Sequence, residues 1–127
     1  MDPTRLELGW RTEDGIPVID VSGEIDVYTV PKFKEQLAEL IDNENRFLIV
    51  NLKKVLYMDS SGFGALLGAT KRLRPDGGAL GLVGCNQVIT RMLKITRLNT
   101  IFQMFETEQE AIATFKNAPA VEETSTE

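Results

Sequence analysis

The sequence contains no histidine. Ser-His-Asp and Cys-His catalytic arrangements therefore cannot be assembled within this chain. It has a single cysteine, Cys85. That rules out an internal disulfide, and with no histidine it leaves no ligand set for a zinc or iron site built on His or Cys. A lack of disulfides fits a reducing compartment, so the cytoplasm is the expected location. Cys85 directly follows a strand-like apolar run and reads as a small buried filler rather than a reactive thiol. No apolar run approaches the roughly 18 residues needed to cross a bilayer, so no membrane insertion is expected. The opening residues MDPTRLELGW lack a basic segment followed by an apolar one, which predicts no signal peptide. A GxxxxGK[ST] phosphate loop is absent, and the glycines at 62, 64, 77, 78, 81 and 84 form no GxGxxG after a strand. No metal and no cofactor is expected.

Basic charge is also in short supply. Fourteen Lys and Arg face nineteen Asp and Glu, giving a net charge of -5. A nucleic-acid binder usually shows a basic face, so direct nucleic-acid binding is not expected. Two local clusters, Lys71, Arg72 and Arg74, and Arg91, Lys94 and Arg97, read as solvated helix faces.

What is present suits one soluble domain: 127 residues, 43% hydrophobic and 26% charged. Alternation over Leu6 to Trp10 and again over Pro17 to Ser22, separated by TEDG, predicts a hairpin. Gly23-Glu24-Ile25-Asp26 reads as a turn-rich exit. Val30, Phe33, Leu37, Leu40 and Ile41 recur at helical spacing from Thr29, a plausible cap, to Asn43. Phe47 to Leu52 reads as a strand buried on both faces, interrupted at Lys53-Lys54. A helix is expected from Ser61 to about Arg74, with small residues Gly64, Ala65, Gly68 and Ala69 placed for close packing against a strand. Ala79 to Val83 is a further buried strand. Gln87 to Thr96 is a helix with Ile89, Met92 and Leu93 inward. Ile101 to Phe105 is a short strand, and Thr107 to Phe115 a last helix. Residues 118–127 are small, polar and acidic, and are expected to be disordered. The domain is thus placed at 1–117. Strands alternating with helices imply right-handed crossovers and an α/β fold with a mainly parallel sheet, made mixed by the first hairpin. About five strands and four helices are expected.

One stretch stands out, LYMDSSGFGALLG at 56–68. An apolar run ends at Asp59, and Ser60 and Ser61 follow at the junction of strand, loop and helix. Loops at the carboxyl ends of strands are where α/β proteins place their sites. A serine here can simply cap a helix, for about 1 kcal/mol. The same position also presents a hydroxyl beside unpaired N–H groups and a positive dipole end, where a phosphate would be tolerated.

Gly23-Glu24-Ile25-Asp26, Val50-Asn51-Leu52, Met58-Asp59-Ser60-Ser61-Gly62 and Gly81-Leu82-Val83 together resemble the STAS domain family, over roughly residues 6 to 117. The branch they look most like is the bacterial anti-sigma factor antagonists. The resemblance implies a STAS-like mixed sheet with helices, no intrinsic catalysis and a partner-switching role. The unphosphorylated protein would bind an anti-sigma factor that is also a serine kinase, freeing a sigma factor. Phosphorylation of the first serine after the motif aspartate, here Ser60, would release the complex, and a serine phosphatase would restore it. Asp26, Asp59, Ser60, Ser61 and Gly62 match the pattern as partner-binding residues, with Asp26 and Asp59 shaping the kinase-facing surface and Ser61 a cap or neighbour. Relatives commonly carry glycine where this chain has Arg97, a departure that bears on partner identity rather than fold.

Three other readings are open to the same residues. A receiver domain would use Asp59 as phosphoacceptor, but the acidic pair and the lysine it needs are not in register. A hydrolase with a Ser60 nucleophile would need a lysine base, and Lys53, Lys54 and Lys71 show no spacing for it. A STAS module serving another regulatory partner or a small ligand is the main alternative.

Overall fold

The computed structural model describes residues 5–118. The expected tail lies, from 119 on, outside the described residues. Five strands form one sheet: β1 (Glu7–Glu13), β2 (Ile16–Ile25), β3 (Phe47–Met58), β4 (Ala79–Val83) and β5 (Gln103–Phe105). Their spatial order follows the chain, β1 antiparallel to β2 and every later pair parallel. Four helices accompany them: α1 (Val30–Asp42), α2 (Ser60–Leu73), α3 (Gln87–Ile95) and α4 (Glu108–Lys116).

Adding strands in one direction through right-handed crossovers puts every crossover helix on the same sheet face. Accordingly α1, α2 and α3 pack together on one side, where Phe33, Leu37, Leu40, Phe63, Leu66, Ile89 and Leu93 meet Ile19, Val21, Leu48, Val50 and Leu82. Helix α4 covers part of the other side, with Ala111 and Phe115 against Ile16, Val18, Ile49 and Val83. Phe115 stacks on Phe47 at 4.8 Å between centroids and meets Phe105 edge-on at 5.8 Å. Strands β2 to β4 are therefore buried on both faces, which is why they read as near-continuous apolar runs.

The hairpin turns at Asp14-Gly15, both with positive φ (54° and 81°), a pairing that matches the twist of its strands. On the outer face, Arg11 gathers three carboxylates. Its guanidinium donates to Asp20 at 2.8 and 3.0 Å, Glu13 at 2.9 Å and Glu108 at 2.5 Å. Asn51 donates to the same Glu108 oxygen at 2.7 Å. Glu108 opens α4, so this cluster ties that helix to the hairpin. Arg11 raises no new chemistry there; it holds the Glu108 carboxyl below the ordinary carboxylate range.

Several boundaries differ from expectation. Gly23-Glu24-Ile25 is strand, not turn: β2 runs on to Ile25 through two register irregularities, between Asp20 and Ser22 and between Gly23 and Glu24. Gly23 has φ +102°, and a Cβ there would sit 2.1 Å from the Arg5 carbonyl oxygen. Such bulges bend a strand without ending it. Lys53-Lys54 do not interrupt β3: both side chains are exposed, and past an irregularity at Lys53 the backbone pairs again with β2, Lys54 opposite Ser22. Strand β5 is only three residues, since Leu98–Thr100 form a 3-10 turn and Phe102 enters the core first. Met92, expected inward, is 41% exposed. Gly64 and Gly68 are exposed, with nothing within 4 Å of where a Cβ would be; only Ala65 and Ala69 of that small-residue set are buried. Gly64 and Gly68 are therefore not required by close packing. Cys85 is half-buried, and desolvation pushes its thiol up to about 11, which leaves it a poor nucleophile at neutral pH.

Candidate functional site

Strand β3 extends seven residues past the last residue it pairs with β4, and does so side by side with β2. The two strands end in register, Ile25 opposite Met58. One then turns at Asp26 and the other at Asp59, and the Asp59 amide donates back to the Ile25 carbonyl at 3.1 Å. Parallel pairing thus brings the two sequence motifs, 33 positions apart, to neighbouring loops at the carboxyl edge of the sheet.

The start of α2 is capped by Asp59, not by a serine. Its backbone is extended (φ -99°, ψ -171°), and its Oδ1 accepts the Ser61 N–H at 2.9 Å. The Ser61 hydroxyl donates to the same oxygen through a very short hydrogen bond. These bonds hold the Asp59 carboxyl below the ordinary carboxylate range, the Ser61 hydroxyl contributing most; the amides of Ser61, Gly62 and Val27 add to it. Val27 belongs to the Asp26 loop, so the two loops share one electrostatic environment.

Ser60 occupies the first helical position. It is exposed, and among the described residues nothing hydrogen-bonds its hydroxyl. The two adjacent serines are thus chemically different: Ser61 is engaged with Asp59, whereas Ser60 is open to solvent. Gly62 faces inward. A Cβ on it would lie 2.4 Å from Met58 Cγ and 2.9 Å from Ile25 Cγ2. Its place is beneath the surface, letting the first turn of α2 settle onto the ends of β2 and β3.

Asp26 organises its own loop. Its Oδ1 accepts the amides of Tyr28 at 2.9 Å and Thr29 at 3.0 Å. Thr29, expected to cap α1 with its side chain, instead ties the turn: its Oγ1 accepts the Asp26 amide and donates to the Glu24 carbonyl, both at 2.9 Å. This rigid turn holds Val27 (61% exposed) and Tyr28 (89% exposed) outward. Leu56 and Tyr57, on the extension of β3, are also exposed. These four residues escaped the sequence reading because they sit as two adjacent pairs, in a turn and near a strand end, where no periodicity marks them.

A wide concavity of about 740 Å³ lies away from this edge, lined among others by Glu13, Lys53, Glu108 and Lys116. It is open and of mixed lining, and none of the motif residues lines it. Among the described residues no three His, Cys, Asp or Glu converge to hold a metal, and no helix is long and apolar enough to cross a membrane.

An α/β domain whose single mixed sheet presents a serine at the start of a carboxyl-edge helix is the class that fold and site define. The chain belongs to the STAS domain family, whose profile matches residues 10–111. The anti-sigma-B factor antagonist of Staphylococcus aureus (strain NCTC 8325 / PS 47) is 37% identical over 101 residues, covering 80% of this chain and 94% of that protein. Among solved structures, an anti-sigma factor antagonist from Mycobacterium paratuberculosis superposes with a TM-score of 0.84 at 24% identity, covering 91% of this chain and 98% of the other. The anti-sigma factor antagonist SpoIIAA in its unphosphorylated form gives 0.70 at 25% identity, covering 89% and 99%.

Proposed function

We propose that this chain is an anti-sigma factor antagonist that works by partner switching, with Ser60 as its phosphoacceptor. The observation that carries the reading is the difference between the two serines. Ser60 is exposed and unbonded at the first position of α2, while Ser61 is held by the carboxylate that caps the helix. A kinase meets a free hydroxyl at Ser60 and an engaged one at Ser61. The 37% identical relative, an anti-sigma-B factor antagonist, supports an anti-sigma factor as the class of partner.

The geometry also fits a switch that leaves the fold in place. A phosphate on Ser60 brings nearly two negative charges to a helix N-terminus, where the dipole favours it. The Asp59 carboxylate already stands there, so the local surface becomes strongly anionic. A partner that docks over Val27, Tyr28, Leu56 and Tyr57 with the unphosphorylated serine beneath it then meets buried, uncompensated charge, which is costly. In this reading the partner is an anti-sigma factor serine kinase, a serine phosphatase resets the surface, and Asp26, Asp59, Ser60 and Ser61 form the contact region, with Gly62 supporting it from below.

The test is intact-mass and peptide mapping of wild type and Ser60→Ala after incubation with ATP and lysate of the source cells. One phosphoryl group on Ser60, absent from the variant, is the expected result. A phosphate on Ser61 or elsewhere, or none under active kinase conditions, removes the mechanism.

A further inference from the structure

Helix α3 is amphipathic over a wider arc than its own core covers. At about 100° per residue, Ile89 and Leu93 point to one side, and Val88, Met92 and Ile95 fall on the adjoining arc. The five span about 160°, more than the roughly 100° stripe that seats a surface helix. Ile89 and Leu93 are 2% and 0% exposed, but Val88 is 69%, Met92 41% and Ile95 68% exposed. Single exposed apolar residues are ordinary; three in register on one short helix are not.

Cations flank the far side of this stripe. Arg91 and Lys94 lie there, with Arg97 just past the helix end, and all three are exposed. Among the described residues none of them is paired with a carboxylate. No Asp or Glu occurs between Asp76 and Glu106. With these three cations set against a net charge of -5, the rest of the chain stands at -8. A shallow concavity of about 380 Å³, lined by Cys85, Gln87, Thr90, Arg91 and Lys94, lies on the cationic side. Arg97 itself has φ 63° and ψ 14°, a left-handed conformation that glycine adopts readily and a long side chain such as arginine's does not. The chain keeps a guanidinium where a side chain is disfavoured.

We infer that α3 is a docking surface for an acidic amphipathic helix of a second protein, whose apolar side covers Val88, Met92 and Ile95 and whose carboxylates pair with Arg91, Lys94 and Arg97. Laying an apolar helix face onto such a stripe is a common mode of peptide recognition, and the charge selects the occupant. A second copy of this chain docking through the same face would set Arg91, Lys94 and Arg97 against their own like-charged counterparts. Residues 119–127 carry three glutamates but only Val121 as a large apolar residue, too little to cover the stripe. An anionic bilayer is a broad plane that brings the acidic remainder of the chain up to its own charge, whereas a single helix meets the cationic patch alone. None of this depends on Ser60 or its phosphorylation.

The test uses the full chain, labelled with ¹⁵N, and a synthetic helical peptide bearing a leucine stripe flanked by glutamates. A lysine-flanked copy of the peptide is the control. Saturable amide shifts confined to residues 86–98 are expected, with the lysine copy at least about tenfold weaker. Reversing two charges, R91E with K94E, weakens the glutamate peptide about tenfold. Arg97→Gly weakens it several-fold while raising the melting temperature, so that the loss cannot be ascribed to unfolding. Ser60→Ala leaves the shifts unchanged, which separates this surface from the phosphoacceptor reading. Equal response to both peptides, or no shift in α3 at about 1 mM peptide (a Kd weaker than about -4 kcal/mol of binding), overturns the inference. So do α3 shifts that appear on concentrating the chain alone, which assign the face to a second copy. Shifts with phosphatidylserine vesicles but not with the peptide assign it to a membrane, and overturn it as well.

Discussion

At the scale of the residue, space and charge around single side chains decide the sign of each substitution. Gly64 and Gly68 sit inside α2 with open space where a Cβ would go. Gly64→Ala and Gly68→Ala are therefore each expected to stabilise the free protein, by up to about 1 kcal/mol from helix propensity. Gly62→Ala has the opposite sign, because Met58 and Ile25 already fill its Cβ position. Urea denaturation of the three variants checks both directions. Asp59 makes a pH prediction. Its folded pKa lies below the unfolded value, so its contribution is complete above the ordinary carboxylate range and is lost as pH falls through the lowered value. Glu108 carries the same sign, through Arg11. Melting temperatures taken from neutral pH down to about pH 2 should fall along an acid limb that Asp59→Asn and Glu108→Gln each flatten. Asparagine remains a good helix cap, so Asp59→Asn removes the charge while the capping bond to the Ser61 amide can persist.

At the scale of the element, α4 is the most weakly justified by its own sequence. Its nine residues bury chiefly Ala111 and Phe115, and its first residue is held by Arg11 and Asn51. Arg11→Met should loosen this helix from the hairpin. Faster hydrogen exchange in α4 than in α2, and a global loss of about 1 kcal/mol that shrinks at high salt, are the expected readouts. The order of strands and helices was legible in the sequence because apolar periodicity switches cleanly between Ile19, Leu37, Ile49, Leu66 and Leu82. The ends of β2 and β3 were not, because pattern cannot show that backbone pairing resumes past a glycine bulge at Gly23 or two exposed lysines at 53 and 54. The candidate site was legible as a motif but not as chemistry. Asp59, Ser60 and Ser61 could be picked out in order, yet which of them caps α2 is fixed by a backbone angle at Asp59. The outward turn of Met92 was likewise hidden, since Ile89, Met92 and Leu93 satisfy helical spacing equally well.

At the scale of the whole molecule, one sheet carries two cores, and β2, β3 and β4 contribute to both. Neither face can separate without uncovering the other, so a single cooperative transition is expected, coincident by far-UV and near-UV circular dichroism. Ser60→Asp lies outside both cores and should shift that transition by no more than a few degrees, corresponding to about 0.5 kcal/mol for a surface substitution. A much larger loss would place Ser60 in the fold rather than on its surface. The described chain also has a direction. Helix α4 ends at Lys116, which pairs with Asp14 of the hairpin turn at 3.6 Å. That turn lies beside the first residue of β3, whereas Ser60 follows its last, about 36 Å away along a strand rising about 3.3 Å per residue. An affinity handle or sensor-chip linkage attached after α4 therefore anchors the molecule by its base, leaving the serine edge uppermost and equally accessible on every immobilised copy.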